Sequence, residues 1–325
     1  MQGKEASEQE TRKCTAGIDV SKSWLDAHVL PSHESLRVAN TREGIRKLKR
    51  WLLQRGPELV AVEATGRWHR ELCRSLTASA VAVAVTDPYR VRNFARAQGI
   101  FAKTDQIDAR VLAMFAAMMT PACRAPAPQT LVAMQELVTA RASAVAEQTA
   151  LKNQLSAATE SFLKRQLTRR IAQLKVHITA LEQHCHKSIN SDEGLARRHA
   201  ILTSIPGIGA VVATTLIACL AELGSLNNKQ IGALAGLAPV PDDSGKRLGV
   251  RVIWGGRGHV RKILYLAALS AARCNADMNV FYRRLIANGK SPKETLIAVA
   301  RKLVLLANTL ITQDRTWQSH APHNA

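Results

Sequence analysis

Thr15-Ala16-Gly17-Ile18-Asp19-Val20-Ser21 reads as a short, mostly apolar strand carrying a single acid, and the fold of the N-terminal region follows from it. Trp24–Leu30 is a second strand candidate, Pro31-Ser32-His33 a turn, and Leu36–Asn40 a third strand, which makes a three-strand meander. Thr41 then caps a basic amphipathic helix that runs through Arg55. Ile45, Leu48 and Leu52 lie on one of its faces, and Gly56-Pro57 stops it. Glu58 to Gly66 is a buried-looking strand containing Glu63. A helix over 68–79, a strand over 81–86 and a helix from Pro88 follow. Strands first paired and then alternating with helices predict an α/β domain, in which ligands gather near strand ends.

Asp19 and Glu63 each close an apolar run, and charged groups are almost never buried without a partner. Two more acids stand in Lys103-Thr104-Asp105-Gln106-Ile107-Asp108-Ala109-Arg110, where Thr104 can cap a helix continued by Val111, Leu112, Met114 and Phe115. Asp105 and Asp108 are three apart and share a helix face. An acidic first turn favoured by the helix dipole accounts for that pair taken alone. Four carboxylates on two strand ends and one helix turn form a more specific pattern. Such a set can hold divalent cations that clamp the attacking and leaving oxygens of a phosphate.

The charge of the whole chain points the same way. Its 325 residues carry 45 Lys+Arg against 25 Asp+Glu, a formal +20. The excess is densest over residues 239–325, where 14 basic residues meet 5 acidic ones. A polyanionic partner is implied, nucleic acid by default. Aromatic residues are only 4%, which disfavours a binder that stacks single-stranded bases and favours contact with the backbone of double-stranded DNA. The six cysteines show no CxxC spacing and predict neither a disulfide framework nor a zinc site. The opening residues are polar and no apolar run reaches membrane-spanning length, so the expectation is a soluble cytoplasmic protein, nucleoid-associated in use, with no membrane partner.

Gly-Ile-Asp19-Val-Ser-Lys, Val-Glu63-Ala-Thr-Gly and Lys-Thr-Asp105-Gln-Ile-Asp108-Ala-Arg resemble the DEDD motif of a family of insertion-sequence transposases, the Piv-invertase-like recombinases regarded as bridge-RNA-guided. All four acidic positions match. Residues 1–14 read as a disordered tail. The resemblance implies a RuvC-like, ribonuclease-H-type domain over residues 15–125, with Asp19, Glu63, Asp105 and Asp108 as catalytic Mg²⁺ ligands. It also implies double-stranded DNA (element ends and target) and a structured guide RNA as partners.

Beyond Pro121, Pro126 and Pro128, residues 129–188 contain neither Gly nor Pro. Ile171, Leu174, Ile178, Leu181 and Cys185 follow 3-4-3-4 spacing, and Leu137, Ala140, Ala144, Leu151 and Leu155 form an earlier stripe. Two long helices over 126–190 are predicted, packed on each other or on a second subunit. By resemblance they are a coiled-coil linker used in oligomerisation, giving a dimer or tetramer.

Residues 191–325 are expected to be mainly helical. Leu202 to Leu216, with Pro206, Gly207, Ile208 and Gly209 at its turn, reads as a helix-hairpin-helix whose free N–H groups could grip a phosphate, or simply as a tight turn between helices. Leu234 to Gly249 is a loop by composition, followed by Trp254-Gly255-Gly256-Arg257-Gly258-His259 and a basic helix. Arg257, Arg261 and Lys262 are candidate backbone contacts or a solvated basic face. Ser291 and Pro292 open a C-terminal helix with a core-facing side of Leu296, Val299, Leu303 and Leu306.

From the residues alone Ser244 is an ordinary turn serine, since a free hydroxyl is a weak nucleophile and no triad lies nearby. The family resemblance places the nucleophilic serine of the C-terminal transposase domain at this position. The expected activity is therefore DNA recombination through a covalent phosphoserine intermediate, on a site composed from two domains. The same carboxylates could serve a hydrolytic nuclease using water, and the basic surfaces alone could serve a non-catalytic nucleic-acid-binding protein.

Overall fold

The computed structural model describes residues 13–123, 125–241 and 251–318. Two compact units divide the chain, residues 1–126 and 127–325.

In the first unit β1 (Thr15–Val20), β2 (Trp24–Leu30) and β3 (Ser35–Ala39) form the meander, and α1 (Arg42–Arg55) follows. The Thr41 side chain accepts from the Gly44 amide at 3.2 Å, capping α1, and Gly56 closes it in the left-handed conformation. Next come β4 (Leu59–Glu63), α2 (Arg70–Thr77), β5 (Val83–Thr86), α3 (Pro88–Ala97) and α4 (Asp105–Met119). The five strands form one mixed sheet in the order β3-β2-β1-β4-β5. β1–β2 and β2–β3 are antiparallel, whereas β1–β4 and β4–β5 are parallel.

Alternation along each strand sends neighbouring side chains to opposite faces. Ile18, Val20, Val60 and Val62 pack with Ile45, Leu48, Leu52, Leu72 and Leu76 from α1 and α2 on one face. Ala61 packs with Val91, Val111, Leu112 and Phe115 from α3 and α4 on the other. Gly17 explains how close α4 comes. A Cβ there would lie 2.2 Å from the Ala109 carbonyl oxygen and 2.2 Å from the Ala113 nitrogen, so α4 meets β1 backbone to backbone. The buried Thr15 hydroxyl donates to the Ala113 carbonyl at 3.0 Å and fastens the same contact.

The second unit opens with the long helices α5 (Gln129–Ala157) and α6 (Ser161–Asn190), which pack on each other. The α6 stripe lies inward as its spacing predicts, with Leu174 and Cys185 buried. On α5 the buried face is Met134, Val138 and Ala144; Ala140, assigned inward by its spacing, is exposed. Met134, Val138, Cys185 and Ile189 belong to the core that α5 and α6 share with the helices after them.

The core is completed by α7 (Glu193–Thr203), α8 (Ala210–Cys219) and α9 (Asn228–Leu234), then the short strand pair β6 (Pro239–Val240) and β7 (Val252–Ile253). α10 (Gly258–Cys274), α11 (Ala276–Ala287) and α12 (Pro292–Thr312) end it. The capping box between Ser291 and Glu294 starts α12 as the sequence predicts, and Leu296, Val299 and Leu303 are buried. α12 is long and apolar enough to cross a membrane by composition, but half of that stretch is buried, as in the core helix of a globular unit.

Candidate active site

The sheet register sets the site. Asp19 on β1 stands opposite Asp26 on β2, and Asp26 stands opposite Arg37 on β3. On the other side Ile18 is level with Val62, which brings Glu63, the last residue of β4, alongside Asp19; Glu63 in turn is level with Thr86. Adjacent strands lie about 4.8 Å apart. Arg37, Asp26, Asp19, Glu63 and Thr86 thus form one row across the whole sheet. Asp19 shares strand parity with Gly17 and Thr15, which touch α4, so its side chain lies on the α4 face.

α4 contributes the rest. Thr104 caps it by accepting from the Ile107 amide at 3.3 Å, and this start puts Asp105 and Asp108 in the first turn. Asp19 feels the charges of Glu63, Asp108 and Asp105, and Glu63 feels that of Asp108. Burial and then the negative charges of Glu63, Asp108 and Asp105 push the Asp19 carboxyl from its ordinary value to about 6. Burial, with Asp108 beside it, also raises Glu63. Like charges gathered in a half-buried place are unfavourable unless a cation joins them.

Two side-chain cations partly serve that need. Arg37 contacts Asp105 at 3.3 Å and Asp26 at 3.8 Å, and Lys103 contacts Asp108 at 3.4 Å. Among the described residues no three acidic, histidine or cysteine side chains are set to hold one ion in this arrangement. Asp105 is half-exposed and its carboxylate is engaged by Arg37. The all-oxygen donor set fits a hard divalent cation.

Asp26 and Arg37 were missed by reading the sequence. Asp26 is buried, and burial raises its carboxyl despite Arg37. A charged residue in the middle of an otherwise apolar strand was the available signal. The loops that follow β1 and β4 add Lys22 and Arg67, both stacked on Trp68 at 5.9 and 4.7 Å.

In the second unit the residues expected at nucleic acid divide. Gly207, at φ 101°, packs its backbone on α10, where a Cβ would lie 2.5 Å from the Ala271 Cβ. Gly209 is exposed and starts α8 without a side-chain cap, leaving the amides of its first turn open. Arg257 is bound within the fold: its guanidinium donates to both Glu222 carboxylate oxygens at 2.6 and 2.7 Å and to the Cys219 carbonyl at 2.8 Å. Arg261 donates to the carbonyls of Gly255 at 2.7 Å and Gly236 at 3.4 Å. Both arginines brace the chain that flanks the β6–β7 connection. Lys262 is exposed on α10. Ser244, in that connection, lies outside the described residues.

Residues 16–164 match a family model described as a transposase of the DEDD IS110 type, and residues 199–283 match one described as the transposase IS116/IS110/IS902 family. The pilin gene-inverting protein of Moraxella bovis is 26% identical over 316 residues, covering 94% of this chain and 98% of its own length. Its namesake from Moraxella lacunata aligns equally far at 26%. The 42 kDa protein of insertion element IS900 from Mycobacterium paratuberculosis is 30% identical over 142 residues, which are 41% of this chain and 35% of its own length. The first match contains all four carboxylates, and the second spans the α7–α8 turn, the β6–β7 connection and α10. The chain belongs to the DEDD-type transposases of the IS116/IS110/IS902 family, and it is an enzyme of DNA recombination.

Proposed function

We propose that the protein cuts and rejoins double-stranded DNA, as an insertion-sequence transposase or invertase, through a covalent bond between Ser244 and a DNA phosphate. The observation that carries this reading is the gathering of Asp19, Glu63, Asp105 and Asp108 on one sheet face, where Asp19 bears the charge of the other three. These residues would hold Mg²⁺. When bound, the metal supplies positive charge that polarises the scissile phosphate and lowers the pKa of an attacking hydroxyl.

The protein's own groups do the positioning. Asp19 and Glu63 stand on adjacent strands, and Asp105 and Asp108 in the first turn of a capped helix, so secondary structure fixes the backbone from which each carboxylate reaches. Lys22 and Arg67, on the loops beside the strand ends, are placed to hold flanking phosphates. In the covalent step the Ser244 Oγ–P bond forms and the bond from phosphorus to the leaving sugar oxygen breaks. The serine loses its proton and the leaving oxygen gains one. The phosphodiester's bond energy is kept for rejoining.

The N-terminal unit is read as RuvC-like: a meander extended by parallel strands, with acids at the ends of β1 and β4, supports that assignment. The α7–α8 turn is read as a helix-hairpin-helix with Gly209 at its phosphate side, and α5–α6 as a coiled-coil arm for a homodimer or tetramer. A guide RNA is the second polyanion that the +20 charge could serve.

The test is to incubate protein, duplex DNA and Mg²⁺, denature, and look for DNA attached to protein. An adduct that vanishes in Ser244→Ala supports the proposal. Cleavage without any adduct would replace it with hydrolysis by water at the same carboxylates.

A further inference from the structure

Edge strand β3 and helix α1 border an open groove of about 650 Å³ in the first unit. Arg37, Arg46, Lys47 and Arg50 line it, against a single carboxylate, Glu43. Arg46, Lys47 and Arg50 are exposed and make no ion pair among the described residues. They lie on one side of α1, where positions three or four apart are about 5–6 Å from each other, and long side chains from there reach neighbouring phosphates. Unpaired cations along a concave surface raise the local concentration of a polyanion.

Two further features give the groove a direction. Arg37 lines it and at the same time contacts Asp105, 3.3 Å away in the carboxylate site. Trp24 also lines it, 45% exposed, with the Arg37 guanidinium over its ring at 5.0 Å. An exposed indole beside an arginine offers a deoxyribose an apolar surface next to the charges.

We propose that this groove is a track for the sugar–phosphate backbone of the DNA strand cut at the carboxylates. Arg37 is its inner end: it passes from Asp105 to the strand as the scissile phosphate arrives. The inference rests on the reading that DNA is cut at those carboxylates. It commits to DNA rather than a guide RNA because Arg37 makes the groove continuous with the reacting phosphate.

The experiment uses the full chain carrying Ser244→Ala, so that no covalent step intervenes, with Mg²⁺ and a fluorescein-labelled DNA duplex or an RNA duplex of the same sequence. Binding is followed by anisotropy across a salt series. Combined Arg46→Ala, Lys47→Ala and Arg50→Ala should lower the slope of log affinity against log salt for DNA by about 2–3, since each phosphate contact contributes about 0.9. Trp24→Ala should weaken DNA binding a further few-fold, through loss of the apolar ring beside the charges. The combined lysine replacement Arg46→Lys, Arg50→Lys should retain the slope, and the triple variant should keep the wild-type rise in melting temperature with Mg²⁺, which separates a lost contact from a lost fold. An unchanged DNA slope, or a loss confined to RNA, would overturn the proposal. Absence of a wild-type adduct alongside a reduced slope would sink the serine mechanism while leaving the groove standing.

Discussion

The two units of this protein handle charge in opposite ways. In the second, Arg257 and Glu222 form a matched, two-point ion pair that also reaches a backbone carbonyl. In the first, four carboxylates gather on one sheet face, where among the described residues Arg37 pairs with Asp105 and Lys103 with Asp108. A fork-shaped guanidinium on a carboxylate satisfies both partners and holds two segments together. A crowd of like charges costs stability, and a fold keeps such an arrangement where chemistry needs it. The contrast is more informative than the count of charged residues: Arg257 is matched by Glu222 within the fold, whereas Asp19 carries the repulsion of three further acids.

The contrast can be tested at both ends. The largest effect should come from Asp105→Asn, which removes one donor and little packing: strand cleavage measured on labelled duplex DNA should drop on the order of 10³-fold, equivalent to about 4 kcal/mol of barrier. Circular dichroism should find the fold intact. Gly17→Val comes next. Side-chain atoms there would force α4 off β1, and overpacking of this kind costs about 3 kcal/mol in urea unfolding. The variant should also lose the Mg²⁺-induced rise in melting temperature, because the two halves of the carboxylate set part.

Glu222→Ala in the second unit should cost about 2 kcal/mol, the range for hydrogen bonds to a charged group, with cleavage chemistry lost only in proportion to the protein unfolded. If Glu222→Ala proved silent and Asp105→Asn unfolded the chain, the contrast drawn between the units would be reversed.

The smallest effect is a pH dependence. Asp19 titrates at about 6 in the folded protein against an ordinary 3.8. Between those values the folded state holds a proton that the unfolded chain has released, so stability falls as pH rises through the window. The site is open enough to solvent that screening leaves about 1 kcal/mol of this. Asp19→Asn should flatten the fall in metal-free unfolding measurements between pH 4 and pH 6, and saturating Mg²⁺ should flatten it in the unmodified protein.

Much of the first unit could be read from the chain because its signals are local. Thr41 and Thr104 cap their helices, Gly56 ends one, and Asp19 and Glu63 interrupt apolar runs at strand ends. Asp26 and Arg37 escaped notice because their meaning depends on register: only when β2 lies beside β1 does Asp26 face Asp19. Gly207 was visible as a turn glycine, yet the neighbour that demands it, Ala271, is far along the chain. The same holds for Arg257, whose partner Glu222 sits 35 residues earlier and carries no local mark of the pairing. Ala140 continues a local apolar stripe along α5, but the core contributed by later helices buries Met134 and Val138 instead, and that contact has no local mark in the sequence.

The backbone contact at Gly17 has a consequence for how the site tolerates change. At Gly17 β1 puts no side chain between itself and α4, so the spacing from Asp19 to Asp105 and Asp108 is set there by main-chain thickness and depends little on which apolar residues fill the layers around it. The interior of the unit can therefore drift in composition while the two halves of the acid set stay in gauge, like rails fixed to a common sleeper. A graft of residues 15–20 together with 104–119 onto another sheet would carry that gauge with it.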